Sequence, residues 1–288
     1  MRVASKTIYD SVKYNLDNIT ESLSKANKIV SSGKRITELS DDPVGLIQAL
    51  DIKSTLSNIE QLERNIDLGE SWLNSAESAL SSVQDLISDT KSLCVQMATA
   101  TTGEAERVSA AGTIQNTIDE IISLANTEMN GRYIFAGSNT DSVPFDENGS
   151  YSGDNNPFAI KIGKDAALTI GNDGEAIFGD VFQTLSDLKD ALEGNNIEGI
   201  EAAMDNLDDD FDHITAKISD IGSKLTRTTV KKEILSDMNL SNTDRLSKIE
   251  DTDIAEAIID LEEITLVYEA ALSASTKVMG LSLLDYLD

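Results

Sequence analysis

Apolar residues near both ends of this chain recur at alternating steps of four and three. Near the start they are Val12, Leu16, Ile19, Leu23, Ala26 and Val30. Near the end Ile254, Ile258, Leu261, Tyr268, Leu272 and Met279 fall on a similar lattice, with Thr265 and Ser275 as polar interruptions. On a helix this spacing gathers one narrow apolar stripe, the pattern of a coiled-coil seam. A lone helix cannot bury such a stripe, and isolated helices are marginal in water. The two ends are therefore expected to pair with each other or with copies of the same chain. They read as assembly devices flanking whatever is inserted between them.

Composition narrows the function classes. The chain has 288 residues, long enough for one large domain or two smaller ones. Its 51 acidic against 23 basic residues give a formal net charge of -28. A surface of that sign repels phosphate, so neither nucleic acid nor an anionic membrane is expected as a partner. With 3 Pro and 5% aromatic residues the chain suits long helices better than a β-sandwich. A single Cys excludes an intrachain disulfide, and a single His excludes a multi-histidine metal site. Residues 1–13 lack a continuous apolar run of the secretory type, and no run is long enough to span a bilayer.

The periodicity predicts a mainly α fold, a long antiparallel helical bundle or coiled coil formed by the terminal segments. A first helix is expected from Ile8 to Ser32, with Gly33 as its cap and Lys34 and Arg35 just past its negative end. Asp42 can cap the next helix, and Pro43 fits its first turn. That helix, Val44 to Thr101, would extend on the order of 80 Å. A third runs from Glu104 to Glu128. Asn130-Gly131 then signals a turn before the strand-like Tyr133-Ile134-Phe135. From Gly137 to Gly179 the chain is rich in Gly, Asn and Asp, with alternating runs at Phe158–Ile162 and Ala167–Ile170, and reads as a small β-rich insertion. Helical pattern returns at Val181–Leu192 and Glu198–Lys248. Asp253 with Glu256 can open the terminal helix. The expected division is 1–40 with 254–288, 41–136 with 181–253, and 137–180.

Sites of chemistry are scarce. His213 ends the acidic run Asp208-Asp209-Asp210-Phe211-Asp212, which reads as a solvated face because its carboxylates point in several directions. Asp146-Glu147-Asn148-Gly149-Ser150 lacks the sixth-position glycine and closing Glu of a calcium loop and reads as a turn. Cys94 and Trp72 lie on or beside the long helix's stripe and read as packing residues. No phosphate loop, dinucleotide fingerprint or catalytic grouping is present, so neither enzyme activity nor a cofactor is expected.

Four stretches carry a resemblance. Ser31-Ser32-Gly33-Lys34-Arg35-Ile36 followed by Ser40-Asp41-Asp42-Pro43-Val44 resembles the N-terminal signature of the bacterial flagellin superfamily. Asn130-Gly131-Arg132-Tyr133-Ile134-Phe135-Ala136-Gly137, leading to Val143-Pro144-Phe145, is similar to the hook-associated protein 3 branch. So are Arg245–Asp251 with Asp253–Ala257, and the ending Leu281–Leu287. The resemblance implies a structural component at the hook–filament junction of the flagellum. Its terminal helices would form an inner tube, with helical rods and a small β domain outside. It implies passage through the type III export apparatus without signal cleavage, with an export chaperone. The implied neighbours are copies of itself, the first hook-associated protein and flagellin. In that setting Gly33, Lys34, Arg35, Asp41, Asp42 and Pro43 would form a joint between tube and rod, with Lys34 and Arg35 available to a neighbouring copy's acidic surface. A flagellin-type filament subunit, a coiled-coil secretion substrate outside any filament, and an enzyme within the acidic insertion are the alternatives.

Overall fold

A computed structural model of the chain describes residues 2–99 and 101–284; for 2–5, 8 and 278–284 it describes the backbone alone. Met279 and the last residues of the C-terminal motif therefore lie outside the described side chains. The fold is mainly α. Six helices are described: α1 (Arg2–Ser32), α2 (Pro43–Met97), α3 (Glu104–Ala125), α4 (Glu175–Glu193), α5 (Ile197–Glu250) and α6 (Ile254–Leu284). The chain divides into two compact units, one of 1–58 with 238–288 and one of 59–237.

Local chemistry sets three helix ends where the sequence placed them, whereas α2 stops at Met97 rather than Thr101, α3 at Ala125 rather than Glu128, and α4 begins at Glu175, within the expected insertion, rather than at Val181. Gly33 closes α1 in the left-handed region at φ 70, its amide donating to the Ile29 carbonyl at 2.8 Å. Asp42 Oδ1 accepts from the Gly45 amide at 2.9 Å, and Pro43 opens α2 where no amide hydrogen is required. Asp253 Oδ1 accepts from the Ala255 amide at 2.9 Å at the start of α6.

In the 1–58 and 238–288 unit, α1 and α6 pack side by side. The C-terminal end of α1 meets the N-terminal end of α6, with a groove there lined by Ala26, Ile29, Ala257 and Ile264, so the pair runs antiparallel.

In the 59–237 unit, α2 and α5 run antiparallel. Lys91 pairs with Asp208, Gln84 Nε2 donates to Thr215 Oγ1 at 2.7 Å, and Lys232 Nζ lies 2.6 Å from Asp67 Oδ1. The core joins the α2 stripe (Ile66, Leu73, Leu80, Val83, Ile87) to Ile114 and Ile121 of α3, Phe178 and Leu185 of α4, and Leu207 and Ile214 of α5. Cys94 is part of it, and burial pushes its thiol up to about 11.

The insertion holds little regular strand. Asn130 and Gly131, both at positive φ, form the turn between β1 (Glu128–Met129) and β2 (Arg132–Tyr133). A second antiparallel hairpin pairs β3 (Ala159–Lys161) with β4 (Ala167–Thr169). Between them the backbone is held by turns. Asp146 Oδ1 accepts from the amides of Asn148 and Ser150, and Asp154 Oδ1 from that of Ser138. Aromatic rings fill the space behind these turns. Phe135 meets Phe178 edge-on at 5.0 Å, Phe145 meets Phe178 edge-on at 5.7 Å, and Trp72 meets Phe158 edge-on at 5.1 Å. Gly69 of α2 lets the β3–β4 hairpin lie close, since a Cβ there would sit 2.4 Å from Ile160 Cδ1.

Candidate functional site

The α1 stripe lies on one face, as its spacing requires. Ala26 is buried, and Val12, Leu16, Ile19, Leu23 and Val30 are half-buried. The α6 stripe splits. Leu261 and Tyr268 are half-buried, but Ile254, Ile258 and Leu272 point outward and are 42 to 46% exposed. The covered face of α6 instead runs through Ala257, Leu261, Ile264, Tyr268, Ala271 and Ser275, again in steps of four and three. Apolar residues surround much of this helix, so more than one such lattice can be drawn on it. Small side chains such as Ala26 and Ala257 line the groove between the two helices. Ser275 lies on this face, with its hydroxyl satisfied by the Ala271 carbonyl at 2.6 Å. Thr265, likewise expected as an interruption, is half-buried and donates to the Leu261 carbonyl. With Ile259, Leu266 and Val267 also exposed, α6 carries apolar surface that α1 does not cover.

The segment from Gly33 to Pro43 is tied to the α5–α6 break. The Arg35 amide donates to the Glu250 carbonyl at 2.6 Å, and the Thr252 amide to the Gly33 carbonyl at 3.1 Å. Glu250 is buried, and its carboxylate takes Lys34 Nζ on Oε2 at 2.8 Å and Lys53 Nζ on Oε1. Burial alone would raise the Glu250 carboxyl; the two ammonium groups outweigh it and hold it below the usual carboxylate range. Lys34 is thus engaged within its own chain. The Arg35 guanidinium donates to the Ile249 carbonyl at 3.0 Å and stays more than half exposed.

Asp41 closes the segment on itself. Lys25 of α1 lies 2.6 Å from Asp41 Oδ1, and Oδ2 accepts from the amides of Thr37 and Glu38. The Lys25 contact first, then the Thr37 amide, holds the Asp41 carboxyl far below its ordinary value.

Three structural residues gave no clear signal in the sequence. Arg107, inside the expected third helix, is buried. Its Nε donates to the Met97 carbonyl at 2.9 Å, its Nη2 to the Thr99 carbonyl at 3.1 Å, and its Nη1 to Asn195 Oδ1. Asp210, read as part of a solvated face, is 5% exposed, with Oδ2 lacking a hydrogen-bond partner. Asp208, Asp209 and Asp212 do face solvent, and His213 Nε2 donates to the Ala176 carbonyl at 2.9 Å. Glu250 stands first in the acidic stretch Glu250-Asp251-Thr252-Asp253, where nothing local marks it as buried.

Among the described residues no group of three or more His, Cys, Asp or Glu could hold a metal ion, and no helix is long and apolar enough to cross a membrane.

Comparison with known proteins places these features in a family context. Residues 3–140 match the bacterial flagellin N-terminal helical region. The flagellar hook-associated protein 3 of Salmonella typhimurium is 26% identical over 316 residues, an alignment covering 98% of both chains. The phase 1 flagellin of Salmonella naestved is 28% identical over 188 residues, which cover 65% of this chain and 36% of that flagellin. Among solved structures, Bacillus cereus FlgL superposes with a TM-score of 0.62 at 25% identity, covering 68% of this chain and 99% of that one.

Proposed function

From its end-to-end relationship to flagellar hook-associated protein 3, and its flagellin N-terminal helical region, we infer that this chain is a structural component of the bacterial flagellum at the hook–filament junction. The observation that carries the reading is coverage. The alignment with hook-associated protein 3 takes in 98% of both chains, whereas the flagellin match leaves most of that flagellin unaligned. The apolar surface of α6 that α1 leaves uncovered supports an assembling role, because soluble monomers rarely keep such a surface without a partner.

In this reading the terminal helices, 1–40 with 254–288, contact neighbouring subunits. Residues 41–136 with 181–253 form a rod, and 137–180 a small insertion built mostly of turns around one β-hairpin. The 33–43 segment joins terminal helices to rod. The subunit would bind copies of itself, the first hook-associated protein on one side and flagellin on the other. It would reach the cell exterior through the type III export apparatus without signal cleavage, helped by an export chaperone. Terminal helices that complete their packing only on assembly suit export in an unfolded state.

Deletion of the gene in its own host tests the reading. The expected result is cells that carry hooks without filaments and release flagellin into the medium, both reversed by the intact gene. Deletion cells with filaments of parental number and length would overturn it.

A further inference from the structure

Between the β3–β4 hairpin and α5 lies an open groove of about 340 Å³. Ile162 and Ala166 line one side, Val230 and Ile234 the other, and Arg227 and Lys231 stand at the rim. Val230 and Ile234 are about half exposed. The charge here is opposite to that of the chain as a whole. Residues 221–232 hold four of its 23 basic groups and no Asp or Glu, in a chain of net charge -28. Lys224 pairs with Asp220, and Lys232 with Asp67 and Glu70. Arg227 and Lys231 have no carboxylate within ion-pair distance among the described residues. Arg227, Lys231 and Ile234 are spaced i, i+4, i+7 and so share one helix face.

A complementary surface lies on the same helix. Asp205, Asp209 and Asp212 have the same i, i+4, i+7 spacing, and all three are exposed. Asp208 beside them is already paired with Lys91. Met204 and Phe211 in the same run pack against the core, so the face offered to a neighbour is that of the carboxylates. The two faces are about 20 residues apart, on the order of 30 Å along α5, so one molecule cannot bring them together.

We propose that this groove receives the Asp205–Asp212 face of a second copy of the chain. Such a contact uses two different surfaces, so it propagates from copy to copy into a ring or helix rather than closing as a dimer. It extends the assembly reading above and rests on it. The contact is small and charge-rimmed, so in free solution it is weak, fast and salt-sensitive.

The test is zero-length carboxyl-to-amine cross-linking of the concentrated full-length chain, with isotopically heavy and light protein mixed in equal parts. Mixed-isotope peptides joining Lys231 to Asp209 or Asp212 are expected, falling several-fold on adding salt. Arg227→Glu should lower their yield several-fold, with the helical signal of the monomer unchanged. In a mixture of heavy Arg227→Glu and light Asp209→Arg, the yield should recover for heavy Lys231 joined to light Asp205 or Asp212. Mixed-isotope links confined to other surfaces, or a yield indifferent to Arg227→Glu, would overturn the proposal. The junction reading would still stand or fall on the deletion strain alone.

Discussion

Lys34 Nζ lies 2.8 Å from Glu250 Oε2 across a sequence separation of 216 residues, and the Glu250 side chain is only 4% exposed. This pair, with Lys53 on the other carboxylate oxygen, fastens the 33–43 segment to the α5–α6 break. Glu250→Gln removes the charge that holds two ammonium groups. A loss of about 1–2 kcal/mol is expected, because both lysines remain partly solvated. Hydrogen exchange should quicken at 33–37 and 249–253 and little elsewhere. The pH dependence has a definite sign. The folded Glu250 carboxyl titrates below its usual 4.5, so its contribution is present above that value and fades as acid reaches the lower, folded one.

Asp210 should act in the opposite sense. Burial, the largest influence, raises its carboxyl; the Thr184 hydroxyl and His213 oppose this only in part, and Asp180 and Asp209 add to it. A carboxyl raised on folding costs stability above its folded value, and the cost disappears below 3.8, its ordinary value. Asp210→Asn mimics the neutral form and should stabilise the protein at pH 7 by about 1 kcal/mol. The gain should shrink as pH falls toward the acid range, as followed by thermal unfolding.

Arg107 joins the α2–α3 turn to the α4–α5 turn through three acceptors. Arg107→Leu leaves two carbonyls and the Asn195 amide oxygen without these donors. The expected cost is about 3 kcal/mol, on the order of 10 °C in Tm. Arg107→Lys should recover little, because one ammonium cannot span the fork that the guanidinium fills. Calorimetry of the three proteins checks both statements.

What the sequence revealed was mostly local. Gly33, Asp42-Pro43 and Asp253 mark helix ends because a cap depends only on the next few residues. Asn130-Gly131 marks its hairpin for the same reason. The α6 lattice drawn from the sequence mixes two faces, because Ile254, Ile258 and Leu272 are as apolar as Leu261, and periodicity alone does not say which face α1 covers and which stays open to a neighbouring copy. Ala257, Ala271 and Ser275 carry little hydrophobic signal, yet they lie on the covered face. Nothing in the local pattern marks Glu250, Arg107 or Asp210 as buried, because what covers each comes largely from other elements of the fold.

The division of α6 into two faces bears most directly on the assembling role. Leu23 lies in the α1–α6 seam, so Leu23→Asp should loosen the free monomer as well as any assembly. Ile258→Asp with Leu272→Asp places charges only on the outward face, which the monomer leaves open. The decisive measurement is electron microscopy of deletion cells carrying this double variant, counting hooks that bear filaments. An intact monomer by circular dichroism and thermal unfolding, together with bare hooks on the cells, is the predicted result. Filaments on as many hooks as the parent gene restores would contradict the assignment of that face to subunit contact.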